Sequence, residues 1–69
     1  MKMYAILYSF DYESQNMLHS MYSSEEKARA AWKVMLRSSW TGDSIQLISC
    51  DEGSDISLND YEELEYRER

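Results

Sequence analysis

Sixty-nine residues, a formal net charge of −6 and a single cysteine, Cys50, bound what this chain can be. A chain this short makes one domain near the lower limit of a self-sufficient core; one cysteine excludes an intrachain disulfide, and no Cys/His set exists for a structural zinc site. No apolar run approaches the ~20 residues a membrane helix needs, and Met1-Lys2 leads straight into a strand-like segment, so a soluble cytoplasmic protein is expected.

Residues 3–10 (Met-Tyr-Ala-Ile-Leu-Tyr-Ser-Phe) are rich in aromatic and branched side chains, contain no Gly or Pro, and read as a strand. Met3, Ala5 and Leu7 face one way and Tyr4, Ile6, Tyr8 and Phe10 the other, so the strand is apolar on both sides and expected at the centre of a sheet. A polar connection over 11–16 follows, and residues 17–22 (Met-Leu-His-Ser-Met-Tyr) alternate more weakly, as an edge strand does. The segment 23–36 is the strongest signal in the chain. Ser23 and Glu26 have capping-box spacing, Glu25 and Glu26 suit the positive end of the helix dipole, and Arg37 suits the negative end. Ala28, Ala31, Trp32, Met35 and Leu36 form one apolar stripe, which predicts a surface helix laid on an apolar sheet. Thr41-Gly42-Asp43 is a turn and residues 44–50 (Ser-Ile-Gln-Leu-Ile-Ser-Cys) a third strand.

The last segment supports two readings. Ser57 could cap a short helix with Ile56 and Tyr61 as its staple, whereas Glu63-Leu64-Glu65-Tyr66-Arg67 alternates like a strand; a short helix is the reading adopted. The expected fold is α+β: a β-β-α-β domain over 1–52 with strand order 2-1-3 and one helix on one face, followed by an acidic C-terminal segment over 53–69 packed on the same domain. The second face of a three-stranded sheet needs a cover, which the last segment, a second copy of the chain in a homodimer, or a target protein would supply.

The excess charge belongs to the last segment. Residues 1–50 carry five acids and five bases, whereas residues 51–69 carry eight acids against Arg67 and Arg69. Such a chain repels nucleic acid and attracts basic protein surfaces, although acidic tails also serve solubility alone.

The aromatic first strand leading into Tyr8-Ser9-Phe10-Asp11-Tyr12-Glu13, the run Tyr22-Ser23-Ser24-Glu25-Glu26-Lys27-Ala28, and a third strand ending in Asp51-Glu52 together resemble small β-β-α-β domain proteins of bacteria and their phages. The resemblance covers roughly residues 3–52. It implies a phage or bacterial source and no particular activity.

Catalytic chemistry has little to stand on here. His19 is the one histidine and has no partner fixed by spacing; Cys50 ends an apolar strand; Asp51, Glu52 and Asp55 do not have the spacing of a calcium loop; and Gly42 and Gly53 are too far apart to cradle a phosphate. No enzyme, no cofactor and no metal are expected. Binding is the remaining class. Tyr and Trp are favoured interface anchors, so the candidate protein-binding residues are Tyr12, Trp40, Tyr61 and Tyr66 with the carboxylates Asp51, Glu52, Asp55, Asp60, Glu62, Glu63, Glu65 and Glu68. The expected partner is a protein with a basic surface, and the expected function is that of a phage-encoded inhibitor of a host or defence protein that handles nucleic acid, as anti-CRISPR and anti-restriction proteins are. The alternative is an intracellular interaction domain, homodimeric or not, whose acidic segment only keeps it soluble.

Overall fold

β1 (Lys2–Ser9) carries apolar side chains on both sides and accordingly lies inside the sheet, with β2 (Met17–Tyr22) antiparallel on one flank and β3 (Ser44–Asp51) antiparallel on the other. The computed structural model describes residues 1–12, 16–53 and 60–69. Among these, α1 (Glu25–Arg37) crosses over from β2 to β3, and a fourth strand, β4 (Glu62–Glu68), pairs antiparallel with β3. The fold is α+β, one helix on a four-stranded antiparallel sheet in the order β2-β1-β3-β4.

β4 replaces the expected C-terminal helix. The capping pattern around Ser57, with Ile56, falls outside the described residues. The reason for a strand lies in β3. Ile45 and Leu47 are buried on one face and Ile48 and Cys50 on the other, so β3 is covered on both sides and its outer backbone groups need hydrogen-bonding partners. The alternating segment Glu63 to Arg67 supplies them as a strand, whereas a helix would stack like charges such as Glu62 and Glu65 three residues apart.

Register assigns every side chain to a face. Tyr4, Ile6 and Tyr8 lie opposite Ser49, Leu47 and Ile45 under the helix; Met3, Ala5 and Leu7 lie opposite Cys50, Ile48 and Gln46 on the far face. Both edge strands carry an irregularity. In β2 it falls between the partners of Ile6 and Leu7, so that His19 is the extra residue; in β4 it falls between the partners of Leu47 and Ile48, at Leu64. The helix stripe packs as expected. Ala28 and Trp32 are buried against Ile6, Ile45 and Leu47, with Ala31, Met35, Leu36, Tyr22, Trp40 and Leu64 around them. The helix cap is Ser24 rather than Ser23: its side chain accepts from the Lys27 amide at 3.3 Å, so the third helical residue is a lysine and no reciprocal capping box forms.

The far face is not bare at its centre. Ala5, Leu7 and Ile48 are each 0% exposed, and Met3 and Tyr61 pack on their cluster. Apolar side chains open to solvent on this face are Leu18 and Met21 at the β2 edge, flanking Leu7 and Ala5, and Tyr66 on β4.

Candidate functional site

The acidic residues from Glu62 to Glu68 form the outer edge of the sheet. In β4, Glu62, Glu65 and Arg67 lie opposite Ser49, Leu47 and Ile45 and so project to the helix side; Glu63, Tyr66 and Glu68 lie opposite Ile48, Gln46 and Ser44 and project to the far face. The strand thus fixes the backbone positions of the carboxylates, two on each face, with the irregularity at Leu64 breaking the regular two-residue spacing. On the helix side, Glu65 lies 3.7 Å from the Arg29 guanidinium, which also holds Glu25 at 2.8 Å. The hydrogen bond from Arg29 to Glu25 is the main reason the arginine pKa is raised; slight desolvation opposes it, and the charges of Glu25 and Glu65 add to it. Both ion pairs are solvent-exposed, so they orient side chains more than they stabilise the fold.

On the far face a polar lattice fixes the start of β4. The Gln46 amide donates to Glu63 at 2.7 Å, and the Asn16 amide donates to the Tyr61 hydroxyl at 2.7 Å and to Gln46 Oε1 at 3.3 Å. Asn16 and Gln46 thereby become positioning residues that a search for charged and aromatic anchors passes over. Beside them Asp51, Asp60, Tyr61 and Glu62 converge with Lys2 around a shallow hollow of about 220 Å³ over Cys50. Burial first, then the Asp51 and Asp60 charges, raise the Cys50 pKa and hold the thiol protonated. Glu52 is exposed in the adjoining turn, its amide donating to the Met1 carbonyl at 2.9 Å, and Asp55 lies outside the described residues.

The opposite end of the sheet gathers a second set. The pairing of Ser9 with Ser44, whose hydroxyls are 2.6 Å apart, brings Asp11 to Asp43, and the Asp11 amide donates to Asp43 Oδ2 at 2.8 Å. Glu68 and Arg69 complete an open hollow of about 300 Å³ there. Tyr12, 79% exposed, stacks on Phe10 at 5.3 Å, and Phe10 meets Tyr8 edge-on at 6.0 Å. The Tyr66 hydroxyl donates to Glu68 at 3.0 Å. A hydrogen bond involving Ser44 lowers the Tyr66 pKa, but the bond to Glu68, desolvation and the Glu68 and Asp11 charges outweigh it and the net shift is upward. Asp11 and Asp43 belong to the acidic surface and were not singled out by sequence; only the β1–β3 register unites them.

Trp40 is placed differently from Tyr12. It packs on the helix-side core, Arg69 lies over its ring at 5.6 Å and donates to its carbonyl, and the Arg69 amide bonds the Asp43 carbonyl at 2.8 Å. Its indole N–H has no partner among the described residues. His19 and Cys50, the side chains best suited to nucleophilic or proton-transfer chemistry, lie on opposite faces: His19 contacts Tyr8 edge-on at 6.5 Å on the helix side and Cys50 is in the far-face cluster. Among the described residues no group of three or more His, Cys, Asp or Glu is placed to hold a metal ion, and no helix is long and apolar enough to cross a membrane. No protein-family model matches the chain, no curated protein matches its sequence and no solved structure matches its fold.

Proposed function

We propose that this protein is an acidic protein-binding module whose β4 edge enters a basic groove built for nucleic-acid phosphates, and that it acts as a phage-encoded inhibitor of the groove's owner. The observation that carries the reading is that Glu62, Glu63, Glu65 and Glu68 are exposed along one hydrogen-bonded edge strand, two on each face, with Asp60 exposed just before it. Because the strand backbone is already ordered, only the glutamate side chains have conformational entropy to lose on binding, whereas a flexible tail would lose backbone entropy as well. The exposed Tyr12 ring, stacked on Phe10 at the end of β1, supplies an aromatic anchor beside Asp11.

The test begins with capture of the partner from host lysate at low and high salt. Association rates of the captured partner are then measured for the wild type and for a variant carrying Asp60→Asn, Glu62→Gln and Glu65→Gln. Glu63 is kept because it holds Gln46, and Glu68 because it holds Tyr66. Steering by an exposed acidic line is screened over a Debye length of ~8 Å at physiological ionic strength. The neutralised variant should therefore associate more slowly and with a flatter salt dependence, and nucleic acid should compete with the wild type. Equal rates with equal salt dependence would refute the proposal and leave the carboxylates a solubility device.

A further inference from the structure

The two edges of the sheet are built differently, and the difference points to self-association through one of them. β4 carries Glu62, Glu63, Glu65, Arg67 and Glu68, which is how natural sheets prevent edge-to-edge pairing. β2, at the other edge, is Met-Leu-His-Ser-Met-Tyr: it has no acid, no Lys or Arg and no proline. Among the described residues nothing pairs with its outer side. Leu18 is 52% and Met21 43% exposed. Because His19 is the extra residue of the irregularity, Leu18 and Met21 project to the same face, beside Leu7 and Ala5.

We infer that β2 pairs antiparallel with β2 of a second copy of this chain, giving a two-fold dimer with one continuous eight-stranded sheet. Centred between His19 and Ser20, this register sets Leu18 of each copy against Met21 of the other, so four exposed apolar side chains close into one cluster on the face opposite the helices. The self-matching register of Leu18 with Met21 selects a second copy as the occupant, and charge selects the edge. Each copy carries −6, with the excess in residues 51–69, so two copies repel through most approaches. With strands ~4.8 Å apart, pairing through β2 leaves the two β4 edges seven spacings or about 33 Å distant, several Debye lengths at physiological salt. Pairing through β4 would set its glutamates at one spacing. A six-residue edge makes a small interface, so the dimer is weak and concentration-dependent. This inference is independent of the acidic-edge proposal, and the dimer leaves both β4 edges open.

The experiment is sedimentation equilibrium of the full chain over a wide concentration range, at low and at high salt. The mass should rise from one chain to two and stop there, and the dimer should persist or strengthen as salt screens the repulsion. Leu18→Glu and Met21→Glu, both at exposed positions, should return the mass to one chain; Val34→Glu, at an exposed apolar position on the helix, should not. In the wild type, hydrogen exchange of the β2 amides should slow as concentration rises, a readout that needs no variant. A monomer at every concentration, open-ended growth beyond two chains, a dimer weakened by salt, or a dimer indifferent to both glutamate substitutions would each overturn the inference.

Discussion

Replacing Trp32 by alanine removes the largest side chain joining helix to sheet. Trp32 is 6% exposed and packs with Ile6, Ala28, Ile45 and Leu47. An aromatic of this kind buries roughly 150–250 Å², and ~25 cal/mol per Å² turns that into about 4–6 kcal/mol of transfer free energy. Alanine keeps a methyl group, and the surrounding side chains collapse partway into the space, so the expected loss is about 3–5 kcal/mol. At ~0.05–0.15 kcal/mol per residue, a domain of this length has a total stability of only about 3–10 kcal/mol. The variant should therefore be largely unfolded, or melt at a small fraction of the wild-type urea midpoint. Far-UV circular dichroism is the suitable probe, because the substitution removes one of the two tryptophans and Trp40 reports a different environment. Trp32→Phe, which keeps an aromatic on the sheet, should recover most of the stability. A Trp32→Ala midpoint within ~1 kcal/mol of wild type at an unchanged slope would refute the account of α1 as the cover of this face.

Gly42 and Gly53 both have positive φ, +94° and +89°, but only at Gly42 would an added Cβ meet something, the Ser9 carbonyl oxygen at 2.7 Å; at Gly53 nothing lies within 4 Å. Gly53→Ala should cost about 1–2 kcal/mol for backbone conformation alone and Gly42→Ala at least ~1 kcal/mol more; equal urea midpoints would contradict the tight docking of this turn on the end of β1. The raised Cys50 pKa has a defined sign: the folded state holds the thiol proton more tightly than the unfolded chain, so its contribution is fully present below the ordinary value of 9.0 and lost as pH rises through the folded pKa. Thermal melts of wild type should fall on raising pH above 9.0, and Cys50→Ala should flatten that fall; parallel pH profiles for the two would refute it.

Those parts of the fold that one segment specifies by itself were legible in the sequence. The helix stripe from Ala28 to Leu36 and the two-sided strand around Ile6 each fix their own environment, which in turn sets the order β2-β1-β3. The last segment was not legible because its conformation is decided by β3. Ile45, Leu47, Ile48 and Cys50 mark β3 as buried on both faces, a pattern that already demands a strand on its outer side. The capping pattern that the sequence offers at Ser57 argues the other way, and only the tertiary setting weighs the two. The candidate site divides the same way. The acids of β4 are visible as composition, but their division between two faces depends on the irregularity at Leu64, and the meeting of Asp11 with Asp43 depends on register. Polar positioning by Asn16 and Gln46 has no signature of type or spacing.

Solubility and recognition are not competing uses of the acidic edge, since the charges that deter edge pairing are also the charges a partner would meet. What distinguishes them is extent. Edge protection requires charge only along the hydrogen-bonded length of β4, from Glu62 to Glu68. The acidic line runs further: Asp51 ends β3, Glu52 lies in the turn after it, Asp60 precedes β4, and Asp11 and Asp43 extend the line at the other end, where among the described residues no strand edge lies open. The line is cancelled only in part, by Arg67 within β4, Lys2 beside Asp51 and Arg69 beside Asp43 and Glu68. Of the helix cations, Arg29 reaches Glu65, while Lys27, Lys33 and Arg37 face solvent, so the molecule keeps a cationic helix surface and an anionic edge. On the proposed reading, a charge separation of this kind would turn an approaching partner before contact and present β4 first to its basic groove. A uniformly acidic surface would keep the protein soluble equally well but would not orient it.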